Sequence, residues 1–239
     1  MSSTPLYLVA FALSYLVGSL PFGLWIVRLL KGIDIREHGS GNIGSTNAGR
    51  VCGTKAAAGV FVLDVLKGLL PPLIAHRFGL SSLGVVLCAL LSVIGHNFSV
   101  FINFKGGKGI ATSLGALLGV APFVGLGALT VWIVLILATQ TVSTSSIGAA
   151  CLLPPLCIFF YRHDTPLLSF CCVACVMAIA KHKANIARLK AGTEPKIRFP
   201  WSAKSDLVVV NSLDSTPVSS TLPTSQKAQT SQEKSPDVP

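Results

Sequence analysis

An all-α integral membrane protein with about seven transmembrane helices is the fold this sequence predicts, N-terminus outside and C-terminus in the cytoplasm. Three observations predict it. Hydrophobic residues make up 51% of the 239 residues and charged residues only 12%, about half the charge of a typical soluble domain. Apolar runs long enough for a hydrocarbon core, which takes about 20 helical residues, recur along the chain. The lysines and arginines gather in a few segments between those runs.

The first run is Leu6–Leu30. No Lys or Arg precedes Arg28, so it lacks the basic start of a signal peptide and is read as a span. Ser19-Leu20-Pro21-Phe22-Gly23 places a breaker inside it. That is either a kink or a break lining a site, because backbone groups freed in a bilayer need protein or water partners. Further runs are Ala56–Ala75, Leu80–Val100, Ile110–Leu137, Ser145–Tyr161 and Leu167–Ala180. Asp64 and Lys67 are three apart, share a helix face and are expected to pair. Ile110–Leu137 would exceed about 40 Å as one helix. Gly119 and Pro122 interrupt it, so two short helices in a hairpin fit better.

Charge sidedness tests that split. Residues 31–55, 101–109 and the segment from Lys181 carry nearly all the Lys and Arg, while the other turns between spans carry only Arg77 and Arg162. The positive-inside rule places the rich segments in the cytoplasm. A single span at 110–137 would put Lys181–Arg198 outside, and the hairpin returns it inside. Parity also places the uncharged turn with Ser143 and Ser146 inside. Residues 1–200 form the membrane domain. Residues 201–239 turn to Ser, Thr, Pro, Gln and Lys and read as a disordered cytoplasmic tail, apart from a brief Leu207–Val210 run.

The net charge of +10 fits cytoplasmic loops facing anionic lipid rather than a nucleic-acid partner. Six of the seven cysteines lie in apolar surroundings, where Cys acts as a small hydrophobe. Cys171-Cys172-x-x-Cys175 has no His or carboxylate beside it, so no metal and no cofactor are expected.

Three polar blocks carry the chemistry. The first, Gly32–Arg50, reads GIDIREHGSGNIGSTNAGR. Gly39, Gly41 and Gly44 let the backbone turn tightly and present N–H groups to an anion. Ser40, Asn42, Ser45, Thr46 and Asn47 add small hydrogen-bonding side chains, and Arg50 adds a cationic fork suited to phosphate. The plain alternative is a flexible loop between spans. The second block runs from Gly95-His96-Asn97-Phe98 to Lys105-Gly106-Gly107-Lys108-Gly109 and Thr112. Its glycines can form an anion nest, with the next helix offering its N-terminus. It is not a nucleotide P-loop: Ile102 stands where a Gly is required, and Gly109 follows Lys108 where Ser or Thr would bind magnesium. The plain alternative is a basic anchor, and a lone His96 is more often a structural hydrogen bonder than a base. In the third block, His182, Asn185 and Arg188 share one face if helical. By itself this block reads as a basic membrane exit. Parity brings all three blocks to one side.

Absences narrow the reaction. The sequence has no Gly-x-Ser-x-Gly elbow, no His-x4-Asp base and no zinc-spacing motif. A site rich in anion binders and poor in nucleophiles suits a substrate that arrives already activated.

The motifs resemble the bacterial acyl-phosphate:glycerol-3-phosphate acyltransferases of the inner membrane. The matches are Ser19-x-Pro21-x-Gly23, the Gly39-to-Arg50 block, Asp64-x-x-Lys67-Gly68, the Gly95-to-Thr112 block, and Asn185-Ile-x-Arg188-Leu-x-x-Gly192-x-Glu194. They occur in order over about residues 15–198. Lys181, where that family usually carries Arg, and the tail are departures outside the core motifs. The resemblance implies a seven-helix membrane fold and a cytoplasmic active site. It implies transfer of an acyl chain from acyl phosphate to the 1-hydroxyl of glycerol 3-phosphate, giving lysophosphatidic acid and phosphate, the first acylation of phospholipid synthesis. It assigns catalysis to Ser40, Arg50, Lys108, His182 and Asn185, with Asn185 donating to the acyl carbonyl. It places Gly41, Asn42, Thr46, Asn47, Lys105, Gly106, Gly107, Ser143 and Arg188 against substrate, with His96 and Glu194 in support. No protein base is implied, a substrate phosphate taking the hydroxyl proton. Partners would be the two substrates, the bilayer and, through the tail, other phospholipid-synthesis enzymes. A transporter of a phosphorylated metabolite or a lipid-binding scaffold would share the basic surface. The first would return glycerol 3-phosphate unchanged, and the second leaves the glycine patterns unexplained.

Overall fold

The computed structural model describes residues 4–197. The expected tail, 201–239, and its boundary at 200 lie outside the described residues. Within them the chain is helical, with no strand. The helices are α1 (Thr4–Ser19), α2 (Phe22–Lys31), α3 (Ser45–Cys52), α4 (Thr54–Arg77), α5 (Ser82–Asn97), α6 (Ile110–Val120), α7 (Pro122–Thr139), α8 (Val142–Cys151), α9 (Leu153–Phe160), α10 (Thr165–Lys181) and α11 (Lys183–Lys190). Two 3₁₀ turns, Ile35–Glu37 and Val100–Ile102, sit in the first two polar loops.

Among the described residues, five helical stretches are long and apolar enough to cross a membrane: Thr4–Lys31, Thr54–Arg77, Ser82–Ile102, Pro122–Thr139 and Val142–Phe160. The pair α10 and α11, bent by 58°, makes a sixth. The count of about seven depends on α6, whose 11 residues rise only about 16 Å, roughly half a hydrocarbon core. The expected hairpin over 110–137 is present: α6 ends at Val120, and Pro122 occupies the first turn of α7, where its missing N–H costs nothing. Its second arm is not short, because α7 runs for 18 residues.

Small residues let the helices approach closely. A Cβ on Gly18 would lie 2.1 Å from the Ser92 carbonyl oxygen, so α1 and α5 meet almost backbone to backbone. On α4 and α6, a Cβ on Gly68 would lie 2.1 Å from the Thr112 carbonyl oxygen and one on Gly115 1.9 Å from that of Val65. The C-terminus of α5 and the start of α6 lie at the same end of the bundle as the third polar block, because Lys181 Nζ donates to the Asn97 carbonyl and Lys108 Nζ to Asn185 Oδ1. A separate apolar cluster of Leu24, Val27, Ile35, Ile43, Ala48, Val60 and Ile102 fastens the first polar loop to α2 and α4.

Candidate active site

The first loop is built around Asn47. This side chain is 1% exposed. Its Nδ2 donates to the carbonyls of His38 and Asn42, each at 2.9 Å, and more weakly to Ile35 at 3.3 Å. Its Oδ1 accepts from the Ser40 N–H at 2.9 Å. Every polar atom of Asn47 is thus spent inside the loop, so its position is that of a loop organiser rather than the substrate contact expected from sequence. Gly39 is required here. It has φ 62°, and a Cβ would stand 2.2 Å from Asn47 Oδ1. Asn42 Oδ1 accepts from the Gly44 N–H at 2.8 Å, shaping the entry to α3. Ser40, Gly41 and Arg50 remain exposed, while Asn42 and Thr46 are half-buried.

The second loop is pressed onto His96. The Gly107 N–H donates to the His96 carbonyl at 3.0 Å. A Cβ on Gly106 would meet that carbonyl oxygen at 2.0 Å, and one on Gly107 would meet His96 Nε2 at 2.2 Å. Gly106 and Gly107 are therefore glycines because the loop lies flat on a buried histidine. Gly109, with φ 78°, turns the chain into α6. Lys105 is exposed and Lys108 is half-buried.

The third block meets the second through side chains. Lys108 Nζ donates to Asn185 Oδ1 at 2.5 Å, Asn185 Nδ2 donates to Glu194 Oε1 at 2.6 Å, and Arg188 Nε donates to Glu194 Oε2 at 2.7 Å. One N–H of Asn185 and the terminal nitrogens of Arg188 remain outside this chain of bonds. Burial pushes Glu194 up, but its bonds to Asn185 and Arg188 and its nearness to Ser143 outweigh that, so its carboxyl is held below the usual range. Ser143, in the first turn of α8, is itself buried. The segment carrying Glu194 is fastened by the Ile197 N–H, which donates to the Gln140 carbonyl at 2.7 Å. His182 sits at the bend between α10 and α11. Its Nδ1–H donates to the Ala178 carbonyl at 2.7 Å, which leaves Nε2 as an acceptor.

Lys108 also reports on the first block. Burial pushes its ammonium down to about 8. Glu194 opposes that shift, and the nearby charges of Arg188 and Arg50 add to it. One residue from each block therefore shares a field centred on Lys108. Ser40, Gly41, Asn42 and Thr46 are not hydrogen-bonded to the Lys108–Asn185–Glu194–Arg188 chain. Lys181, absent from the site residues expected from sequence, ties the third block to the second. It donates to the Asn97 carbonyl at 2.7 Å and lies 4.1 Å from the centre of the Phe98 ring. Its signals in the sequence are a cation at the end of an apolar helix and a position where the resembled family usually carries Arg.

A cationic, partly desolvated cluster with an ionised clamp and a neutral imidazole can bind phosphate and polarise a carbonyl. Two apolar clefts lie elsewhere. One of about 830 Å³ is lined by Pro154, Pro155, Ile158, Phe159 and Arg162, and another of about 400 Å³ lies between α5 and α10. Neither holds a residue of the three blocks.

Residues 8–192 match the family model described as glycerol-3-phosphate acyltransferase. The glycerol-3-phosphate acyltransferase of Fusobacterium nucleatum is 44% identical over 187 residues, covering 78% of this chain and 96% of that protein. That of Bacillus subtilis is 41% identical over 190 residues, covering 78% and 95%. Among solved structures, the glycerol 3-phosphate form of PlsY (YgiH), an integral membrane glycerol 3-phosphate acyltransferase, aligns with a TM-score of 0.77 at 39% identity, covering 83% of this chain and 99% of that one. The lysophosphatidic acid form of PlsY aligns with a TM-score of 0.73 at 40% identity, covering 80% and 95%.

Proposed function

This chain belongs to the glycerol-3-phosphate acyltransferase family of integral membrane proteins, and from that premise we propose that its acyl donor is acyl phosphate. The acceptor is the 1-hydroxyl of glycerol 3-phosphate, and the products are lysophosphatidic acid and inorganic phosphate. The reaction belongs to phospholipid synthesis. The observation that carries the reading is the chain from Lys108 through Asn185 and Glu194 to Arg188, with Arg50 close enough to perturb Lys108. Among the described residues it offers several fixed cations and no activated nucleophile.

The mechanism follows from that composition. A mixed anhydride has a good leaving group, so positioning and charge stabilisation supply most of the rate. Arg50 and Lys108 hold the substrate phosphates, with Ser40 and the first-loop N–H groups beside them. The free N–H of Asn185 donates to the acyl carbonyl, and Glu194 fixes the orientation of that amide. The hydroxyl of glycerol 3-phosphate attacks the carbonyl carbon, the carbon–oxygen bond to phosphate breaks, and a substrate phosphate takes the proton. His182 Nε2, an acceptor, orients the hydroxyl.

The test is donor choice. Purified protein with labelled glycerol 3-phosphate should form lysophosphatidic acid from acyl phosphate and little from acyl-CoA. Equal rates with acyl-CoA would overturn the reading. A pH profile adds a second check. Lys108 is charged below about 8 and neutral above it, so kcat/KM should fall as pH rises through that value. Lys108→Arg, which stays charged, should lose that alkaline limb. A profile still falling near pH 8 in the arginine variant would remove Lys108 from the assignment.

The site faces the cytoplasm of a bacterial inner membrane in this reading, with seven spans and α6 as the short one. Single cysteines at Ser45, Asn103 and Lys190, in a background without native cysteines, should then resist labelling from outside the cell. Labelling at any one of them would break the shared-site arrangement.

A further inference from the structure

Asp64 and Lys67 lie near the middle of α4, each only 2% exposed. Lys67 Nζ stands 2.7 Å from Asp64 Oδ1. Withdrawing two charges from water is costly, and an apolar pair of similar volume is often as stable. The ion pair therefore needs a reason beyond stability, and its surroundings supply one.

α1 stops at Ser19 and α2 starts at Phe22, with Pro21 between them. Proline has no N–H and cannot continue the helical bonding. The Ser19 carbonyl is released inside the bundle, and that of Leu20 keeps only a tight bond from the Phe22 N–H two residues on, at 3.1 Å. Under-satisfied acceptors are unfavourable there. Lys67 Nζ donates to the Leu20 carbonyl at 2.7 Å, and Ser99 Oγ donates to that of Ser19 at 2.5 Å. A cation here also meets the negative end of the α1 dipole. The break is thus held open by a buried ammonium on α4 and a hydroxyl just past the end of α5.

Both anion loops hang from this node. Past the break, Gly23 meets the Ile43 carbonyl so closely that a Cβ would lie 1.7 Å from its oxygen. Ile43 sits inside the Ser40–Gly44 turn, so the direction of α2 sets the first loop. On the other side, Asp64 Oδ1 lies 3.7 Å from His96 Nδ1. The His96 carbonyl accepts from the Gly107 N–H, next to Lys108. We propose that Lys67, paired with Asp64, is a positioning residue that holds the break in the first span and so fixes the separation of the two glycine-rich loops. Buried, with its ammonium held between Asp64 and the Leu20 carbonyl, it touches no substrate in this proposal. The proposal rests on the reading that both loops bind phosphate.

The test uses the double variant Asp64→Asn/Lys67→Met, which removes both charges and leaves neither buried alone. Two quantities are read in detergent-solubilised full-length protein: the melting temperature, and the Kd for glycerol 3-phosphate by calorimetry, which needs no acyl donor. Losing one charge-assisted hydrogen bond to the bound phosphate weakens binding by roughly 10- to 150-fold. The expected result is a Kd weakened at least tenfold at a melting temperature near that of the wild type. Ser99→Ala, which frees only the Ser19 carbonyl, should weaken it in the same direction by a smaller factor. A double variant that folds and binds within about twofold of the wild type overturns the proposal. So does one whose loss merely tracks the fraction unfolded. If the double variant does not fold, an unchanged Kd in Ser99→Ala overturns it. If wild-type protein binds glycerol 3-phosphate but does not use acyl phosphate, the donor assignment fails and the positioning role stands.

Discussion

Lys108→Met should lower turnover by roughly 100- to 1000-fold, the scale set by removing one preorganised charge from a water-poor site. The ammonium is half-buried, bonded to Asn185 and, in the proposed mechanism, set where the phosphate of the donor leaves. Its loss removes the charge and also frees Asn185 Oδ1, so the amide that polarises the acyl carbonyl loses one of its two restraints. The fold should survive. Burial depresses the folded-state pKa of Lys108 to about 8, below the usual lysine value of roughly 10.4. Folding therefore works against its charged form at neutral pH, and a neutral side chain of similar length should not lower the melting temperature. Steady-state kinetics beside a melting curve decide the matter. Turnover within tenfold of the wild type, or a loss explained by unfolding, would contradict the assignment.

Arg50→Lys is the second large effect. The substitution keeps the charge and the position in the last turn of α3. It removes the planar fork that meets phosphate with two parallel bonds. One charged hydrogen bond is worth about 1.5–3 kcal/mol, or roughly a 10- to 150-fold loss in kcat/KM. Arg50 is exposed, so the change should leave folding untouched. Activity within about twofold of the wild type would make Arg50 a marker of topology and nothing more.

The helical fold was legible because its cause is compositional: long apolar runs and few charges. The break between Gly119 and Pro122 was legible as well, since a helix that long does not remain one span. The length of α7 was not, because helix ends depend on packing that leaves no periodic mark. The polar loops could be found from glycine and small polar residues, but the division of labour among them could not. Asn47 and Asn42 have the same side chain five residues apart. Only the fold shows that Asn47 turns inward to bind the loop's own carbonyls. Gly106 and Gly107 look like an anion nest in sequence, yet their tightest neighbour is His96. The bond from Lys108 to Asn185 spans 77 positions, and no local pattern encodes such a pairing. The same holds for Lys67. Its pairing with Asp64 could be read from a spacing of three, whereas its bond to Leu20, 47 positions away, could not.

The most direct test of the account follows the oxygen that bridges carbon and phosphorus in the acyl donor. Acyl phosphate labelled with heavy oxygen at that position is given to the purified protein with unlabelled glycerol 3-phosphate. If the hydroxyl attacks the acyl carbon and phosphate leaves, each lysophosphatidic acid formed is unlabelled and each phosphate released carries the heavy oxygen. Heavy oxygen in free fatty acid would mean cleavage at phosphorus. That result, or no lysophosphatidic acid from acyl phosphate while acyl-CoA supports turnover, would contradict the account.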